Sequence, residues 1–436
     1  MIGDSIAAPE PTPMHAPSSR TLTFAFAALA IGLLVMTLAW HIPMMLWDHL
    51  DLLPILQAWR HGDWLQSDFL RMHGGHIHTA AYAVLLVTTT ASHATAWVDC
   101  VTSWLLLIAA AALLSVALRE TLARGVVFPT LLPLLAVLLL LHPGHLANLQ
   151  WGWQVAVFLC LLGVAGTIIA LTRPTLDAKR NVIALACTLL ACTSFATGLA
   201  MLPVALALIG LRRELPRSRR MTLALPWAIA LALAIGLRPR LGTPIGLSDA
   251  PLLATYMLNF IGAGIARFAT DLAPWLAALG ILSACAMAIR LRAQREALPW
   301  MGLTAFAIVA SGLVAIARAP SFGADHAFVT RYVSFSTLFW LGWTGMLASL
   351  HSASSPRLMQ VGAIVVFVFA AANGLHMIHK ASQVGARTGD IAATIARDYP
   401  DIDSALLREV HFDREDTAAE RIRMLHDLGY PPFRVP

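Results

Sequence analysis

Charge is what this sequence has least of: 12% of its 436 residues are Asp, Glu, Lys or Arg, about half the ~25% of an ordinary soluble domain. Together with 58% hydrophobic residues and a mean hydropathy of +0.71, that shortage excludes a soluble globule and makes the chain a polytopic membrane protein. Cysteine is also scarce. The five present, Cys100, Cys160, Cys187, Cys192 and Cys285, lie inside or at the edge of apolar segments without zinc-type spacing or a disulfide framework, so they read as small packing residues. No basic n-region precedes a short apolar stretch before Arg20, which argues against a cleaved signal; residues 1–20, rich in Pro, Ala and Ser, read as a disordered tail. Internal repeats are lacking as well, so self-similarity gives no support to an inverted-repeat transporter. The pI is near 9.4, but the basic residues fall in short clusters between apolar runs. That is the pattern of topology anchors, and no nucleic-acid partner is implied.

What is present is a succession of apolar runs. A crossing needs about 20 residues, because each rises 1.5 Å through a hydrocarbon core about 30 Å thick. Candidates are Thr21–Ile42, Trp97–Leu118, Val126–Leu141, Trp151–Leu171, Met221–Leu237, Leu272–Ile289, Trp300–Ile316, Tyr332–Leu350 and Leu358–His376. Asn181–Leu211 is too long for one upright helix and carries Ser194–Gly198 at its middle, which divides it in two. Arginines at 212, 213, 217, 219 and 220, with Arg173–Arg180, Arg290–Arg295, Arg119 and Arg124, mark the cytoplasmic side. Keeping all of them inside requires 77–92 and 252–265 to be short, tilted or re-entrant elements. The expected fold is all-α: a polytopic transmembrane bundle of about 11 to 13 membrane segments over 21–378. Its N-terminus is cytoplasmic. From His379 the chain changes character, with ten acidic and eight basic residues in 58, and 379–436 reads as a small periplasmic appendage with a helix near Thr417–Leu428, stopped by Gly429 and Pro431.

Titratable groups crowd one boundary. Trp47-Asp48-His49-Leu50-Asp51 follows the first span, and Asp63, Asp68, His73, His76 and His78 come soon after. In this first outer loop, 44–76, Leu52, Ile55, Leu56 and Trp59 recur at helical spacing, and Leu65, Phe69 and Met72 resume the pattern. Amphipathic helices of this kind lie flat in the interface with the apolar stripe in lipid. Asp48 and Asp51, three apart, share a helix face; a partly desolvated carboxylate there makes a general base, while a helix N-cap is the competing use of either residue. His73 and His76 would also share a face, as phosphate or hydrogen-bond contacts or plain interfacial histidines. No metal site is assigned, although a divalent cation held with Asp48 or Asp51 is compatible with these donors. On the same side, Gln150 and Gln154, four apart, can hydrogen-bond a sugar, flanked by Trp151 and Trp153 as an aromatic belt. Asp325, His326 and Arg331 sit at the mouth of an outer helix. Arg331 runs against the basic-inside bias, and its planar fork suits phosphate oxygens; snorkelling to headgroups is the alternative.

Trp47-Asp48-His49-Leu50, His73 to His78, Leu149 to Gln154, Ser194-Phe195-Ala196-Thr197-Gly198 and Thr330 to Phe335 together resemble, in order, landmarks of bacterial polytopic proteins related to the GT-C superfold of glycosyltransferases. The resemblance implies a polyprenyl-phosphate sugar donor and a catalytic acidic residue in the first outer loop, here Asp48, with Asp51 as companion. The adjacent acidic pair common in that superfold appears here as Asp-His-Leu-Asp, and the first outer loop has few basic residues. The expectation is an inverting, GT-C-like glycosyltransferase of the bacterial inner membrane. It would move a sugar from the carrier to an envelope glycan, lipid or protein acceptor at the outer face. A transporter or flippase of a lipid-linked substrate is the main competitor, and a scaffold in an envelope assembly the second.

Overall fold

The computed structural model describes residues 19–63, 70, 72–73, 76–124, 128–237, 246–350, 356–412 and 414–434. Each apolar run becomes a helix, because within lipid a backbone must satisfy its own polar groups. In chain order these are α1 (Ser19–Trp40), α2 (Leu53–His61), α3 (Thr79–Ser92), α4 (Ala96–Leu122), α5 (Leu131–Leu140), α6 (Leu146–Leu149), α7 (Val155–Thr172), α8 (Ala178–Ser194) and α9 (Met201–Leu211). They continue as α10 (Arg217–Gly236), α11 (Ala250–Ala266), α12 (Ala273–Leu291), α13 (Leu298–Phe322), α14 (Val333–Ala348), α15 (Pro356–Asp398), α16 (Ser404–Val410) and α17 (Glu415–Asp427). Among the described residues, eight helices are long and apolar enough to cross a membrane. The sheet content there is one two-residue antiparallel ribbon, β1 (Met72–His73) with β2 (His76–Ile77). The all-α transmembrane class is what the structure shows.

The expected break inside Asn181–Leu211 is present. α8 stops at Ser194, Phe195 takes an extended conformation, and a 3-10 turn at Ala196–Ala200 leads into α9. Glycine is required at 198, where a Cβ would lie 2.3 Å from the Ala191 carbonyl. The two elements expected to be short, tilted or re-entrant are helices of 14 and 17 residues, α3 and α11. α3 begins at buried His78 and meets α4 through Thr88 and Asp99, both at the end of the bundle where Trp153 packs on His78 and Tyr82. α11 meets the Ala324–Phe328 turn through Tyr256 and Asn259, and its end is held by Asn373 and the Phe328 carbonyl beside Arg267. Its C-terminal end therefore lies beside that turn.

Two expectations are corrected. The stripe of α2 does not lie in lipid: Leu53, Ile55 and Leu56 are buried in a second core shared with Trp151, Trp153, Ile391, Leu407, Val410, Ile422, Leu425 and Tyr430, while Trp59 is exposed. Leu65, Phe69 and Asp68 lie outside the described residues, as does the Met72 side chain. Nor do Trp151 and Trp153 form a boundary belt, since both are buried. The composition change at His379 falls inside a helix; α15 runs unbroken for 43 residues, carrying the last span directly into the C-terminal segment.

Candidate active site

The first outer loop opens with a six-residue 3-10 helix, Trp47–Leu52. At three residues per turn, positions i and i+3 eclipse, so Asp48 and Asp51 project side by side. The N-cap is Leu46, without a side-chain cap; neither carboxylate is spent on capping. The turn is fixed at its start by Trp47, whose backbone has φ +55° and whose indole Nε1 donates to the Glu409 carbonyl at 3.0 Å.

Between the two carboxylates stands the ring of His73, delivered by the ribbon. Its Nε2 is 3.5 Å from Asp48 Oδ1 and its Nδ1 is 3.5 Å from Asp51 Oδ2. The other Asp48 oxygen, Oδ2, lies 3.8 Å from Arg331 Nη1, and Asp51 Oδ1 lies 3.3 Å from His411 Nε2. The result is a line of alternating basic and acidic side chains: Arg331, Asp48, His73, Asp51, His411. The first four side chains are 18 to 32% exposed and His411 is 2% exposed, so the line runs from an accessible end into the protein. Burial alone would raise the Asp51 pKa, but the hydrogen bond and charge of His411, with the charges of His73 and Arg421, hold it below the ordinary carboxylate value.

Buried side chains fix this line from behind. Trp153 packs edge-on against His73, ring centroids 4.9 Å apart, and also touches His49, His78 and Tyr82. His49, between the two aspartates in sequence, is held neutral by burial, its pKa pushed down to about 3. Gly152 lets His49 approach Asp99: a Cβ there would be 3.0 Å from His49 Cε1 and 2.8 Å from Asp99 Cβ. Arg331 is placed through its backbone. Asn148 Nδ2 donates to the Arg331 carbonyl (3.1 Å) and to Ser334 Oγ (2.8 Å), and His145 Nδ1 shares that hydroxyl at 2.9 Å. The Arg331 Nε is buried with no hydrogen-bond partner among the described residues.

The structure thus brings together Asp48, Asp51, His73 and Arg331. His73 and His76 are not on one helical face; they are opposed partners in the ribbon, and the His76 side chain lies outside the described residues. Gln150 and Gln154 are buried, each Oε1 without a partner among the described residues, and neither presents an exposed polar face. Asp325 is exposed on the Ala324–Phe328 turn and forms no ion pair among the described residues. Its neighbour His326 stacks on Phe322 and meets the Tyr256 hydroxyl at 2.9 Å; burial, then Arg331 and Arg318, push its pKa down to about 4. Sequence reasoning missed His411, Asn148 and Ser334. No local signal marks His411, which lies 360 positions from Asp51.

Among possible metal ligands, Asp48, Asp51 and His73 offer three donor atoms within 4.8 Å of one another. Two carboxylates and an imidazole suit a hard or borderline divalent ion, and the residues fit one in chemistry. As the site stands, the ring of His73 fills the space between the carboxylates.

No family profile and no curated protein matches the chain. Among solved structures, ArnT from Cupriavidus metallidurans in the apo state aligns with a TM-score of 0.51 and 12% identity, covering 95% of this chain and 89% of that one. Its form bound to undecaprenyl phosphate gives a TM-score of 0.49 and 13% identity over 95% and 90%. At such identity the apo match establishes fold: this chain shares the helical arrangement of ArnT, in keeping with the GT-C resemblance of its motifs.

Proposed function

We propose that the chain is an integral-membrane glycosyltransferase that moves a sugar from a polyprenyl-phosphate carrier to an acceptor hydroxyl at the outer face of the bacterial cytoplasmic membrane. The observation that carries this reading is Asp48 standing between Arg331 and His73 at the accessible end of a GT-C-like bundle. A lipid-anchored donor cannot leave the bilayer, so its reacting bond has to be met at headgroup depth. Asp48 takes the proton of the acceptor hydroxyl, whose oxygen attacks the anomeric carbon while the bond to the phosphate oxygen breaks and its electron pair leaves with the phosphate. Arg331 is placed to meet that departing charge, and its planar fork matches phosphate oxygens. A single displacement inverts the anomeric centre. Asp51 holds the opposite side of His73. A divalent cation, if bound, would be held by Asp48, Asp51 and His73 and would supply further charge neutralisation at the phosphate.

The distribution of ion pairs supports chemistry at a boundary over transport. One group comprises Asp48, Asp51, His73, His411 and Arg331 at the site; another comprises Arg124–Glu296, Arg173–Glu120 and Arg212–Glu214, at or just beyond the far ends of α4, α7 and α9. The remainder lie in α15 beyond Lys380 and in the segment after it. Among the described residues, no ion pair lies between those levels, where a translocation pathway needs ionisable groups. In this orientation the N-terminus is cytoplasmic and the C-terminus periplasmic.

The test is sugar release from a panel of polyprenyl-phosphate sugars by purified protein in liposomes, with Asp48→Asn beside it. Turnover by the parent and a loss of about 10² or more in the variant are expected. An inserted Asp48→Asn protein working at the parental rate would refute the assignment.

A further inference from the structure

The C-terminal segment reads in sequence as an appendage, yet one of its most buried polar side chains abuts the reaction site. After α15, the chain turns back through α16 and α17, and their apolar faces, with Leu407, Val410, Ile422 and Leu425, pack with Leu50, Leu53, Ile55 and Leu56 of the first outer loop. Arg60 of α2 sits over the Tyr430 ring at 5.0 Å. Three positions lie at the end of α16, two of them in contact with the first outer loop. Glu409 accepts the Trp47 indole through its carbonyl and pairs with Arg387 through its carboxylate. His411 reaches Asp51, and Phe412 adopts φ +45°. Trp47 and Phe412 are both non-glycine residues in the left-handed region, a conformation that persists only where surrounding contacts over-determine it. They flank the two sides of one joint, Trp47 next to Asp48 and Phe412 next to His411.

We propose that His411 is a positioning residue for the reaction: it anchors Asp51, which orients His73, which in turn orients Asp48. The C-terminal segment is on this account a fixed wall of the active site. A carboxylate only accepts, so at 3.3 Å the His411 Nε2 carries the hydrogen and donates to Asp51 Oδ1. With Oδ1 so engaged, Oδ2 is turned toward His73 Nδ1, and the opposite edge of that ring faces Asp48. Asp48, His73 and Asp51 each have one partner in the line on either side, so releasing His411 loosens the rest. His411 Nδ1 is buried with no partner among the described residues, so its ring is fixed through Nε2 and packing, and it touches no substrate.

This inference rests on Asp48 as the reacting base, and its test separates the two. His411→Leu keeps the bulk and removes the donor; His411→Gln keeps a side-chain N–H donor near the position of Nε2. With a polyprenyl-phosphate sugar as donor, His411→Leu is expected to lower kcat by about tenfold or more with KM for the lipid within about threefold, and His411→Gln to recover most of kcat. Hydrogen exchange over residues 47–52 reads the same joint without any substrate: faster exchange is expected in His411→Leu and near-parental exchange in His411→Gln. A His411→Leu protein with parental kcat, or with unchanged exchange over 47–52, overturns the proposal. So does equal loss in both variants with proteolytic release of the segment after Asp398, which would make the role structural only. Parental activity in Asp48→Asn would instead strike the reading of the site, and the exchange result would still decide His411.

Discussion

Gly152→Ala tests whether the site is held by rigid packing. An added methyl at 152 would lie 2.8 Å from Asp99 Cβ, 3.0 Å from Asp99 Oδ2 and 3.0 Å from His49 Cε1, against roughly 3.5–4.0 Å for carbon atoms at ease. Neither neighbour has room to retreat. Asp99 is buried and accepts from Thr88, and His49 is buried against Trp153. Gaining the missing separation means moving one of them by close to 1 Å, and overpacking of this kind costs about 1–3 kcal/mol. His49 shares a tight 3-10 turn with Asp48, so the shift reaches the carboxylate, and a displacement near 1 Å lowers turnover on the order of 10²-fold. The comparison is Gly32→Ala in the interior of α1, where a Cβ meets nothing within 4 Å; relief of helix-interior glycine should stabilise that variant by about 0.5–1 kcal/mol and leave turnover alone. Thermal melts and donor-lipid turnover of both proteins in the same detergent decide it. A Gly152→Ala protein with parental melting and rate would show that His49 and Asp99 do not brace the site.

Further outcomes follow from the same geometry. Trp153→Ala should cost about 3–5 kcal/mol by removing a large buried ring and free His73 from its edge contact, seen as a lower melting temperature with raised exchange at His73. Arg331→Lys keeps the charge but loses the planar fork, so KM for the lipid donor should rise more than kcat falls; equal kinetics would remove Arg331 from phosphate recognition. His49 stays neutral in the folded protein down to about pH 3 while the unfolded chain protonates at 6.5. Stability should therefore fall with acid below pH 6.5 by about 1.4 kcal/mol per pH unit from this group, and His49→Gln should flatten the melting-versus-pH slope by one proton. Asp51 has the depressed carboxylate value, so its contribution is present above its unfolded pKa of 3.8 and is lost as pH falls through the lower folded one; Asp51→Asn should melt with less dependence on pH below 3.8.

Much of this was legible because lipid constrains sequence so strongly. The apolar runs became helices, and Ser194–Gly198 broke where polarity and glycine interrupted the run. Asp48 and Asp51 could be paired from spacing alone, since a separation of three works for 3-10 and α geometry alike. His73 is a candidate by helical spacing, whereas the structure places it on a two-residue ribbon, a unit too short to show alternation in sequence. Arg331 stood out by its charge on the wrong side for an anchor. The partners that fix these groups were illegible for a common reason. His411, Asn148 and Ser334 act across gaps of 183 to 360 positions, and a buried histidine or asparagine looks the same in sequence whether it orients a functional group or merely fills a turn. The amphipathic pattern of α2 records only that its apolar face is covered, and here protein, not lipid, covers it.

The most direct measurement is a density map of the protein in a lipid bilayer with polyprenyl phosphate bound. The account predicts the phosphate within hydrogen-bond reach of Arg331, beside Asp48 and at the end of the bundle braced by the C-terminal segment. A phosphate seated instead among Arg124, Arg173 and Arg295 at the opposite end, with the Asp48 region empty, would contradict it.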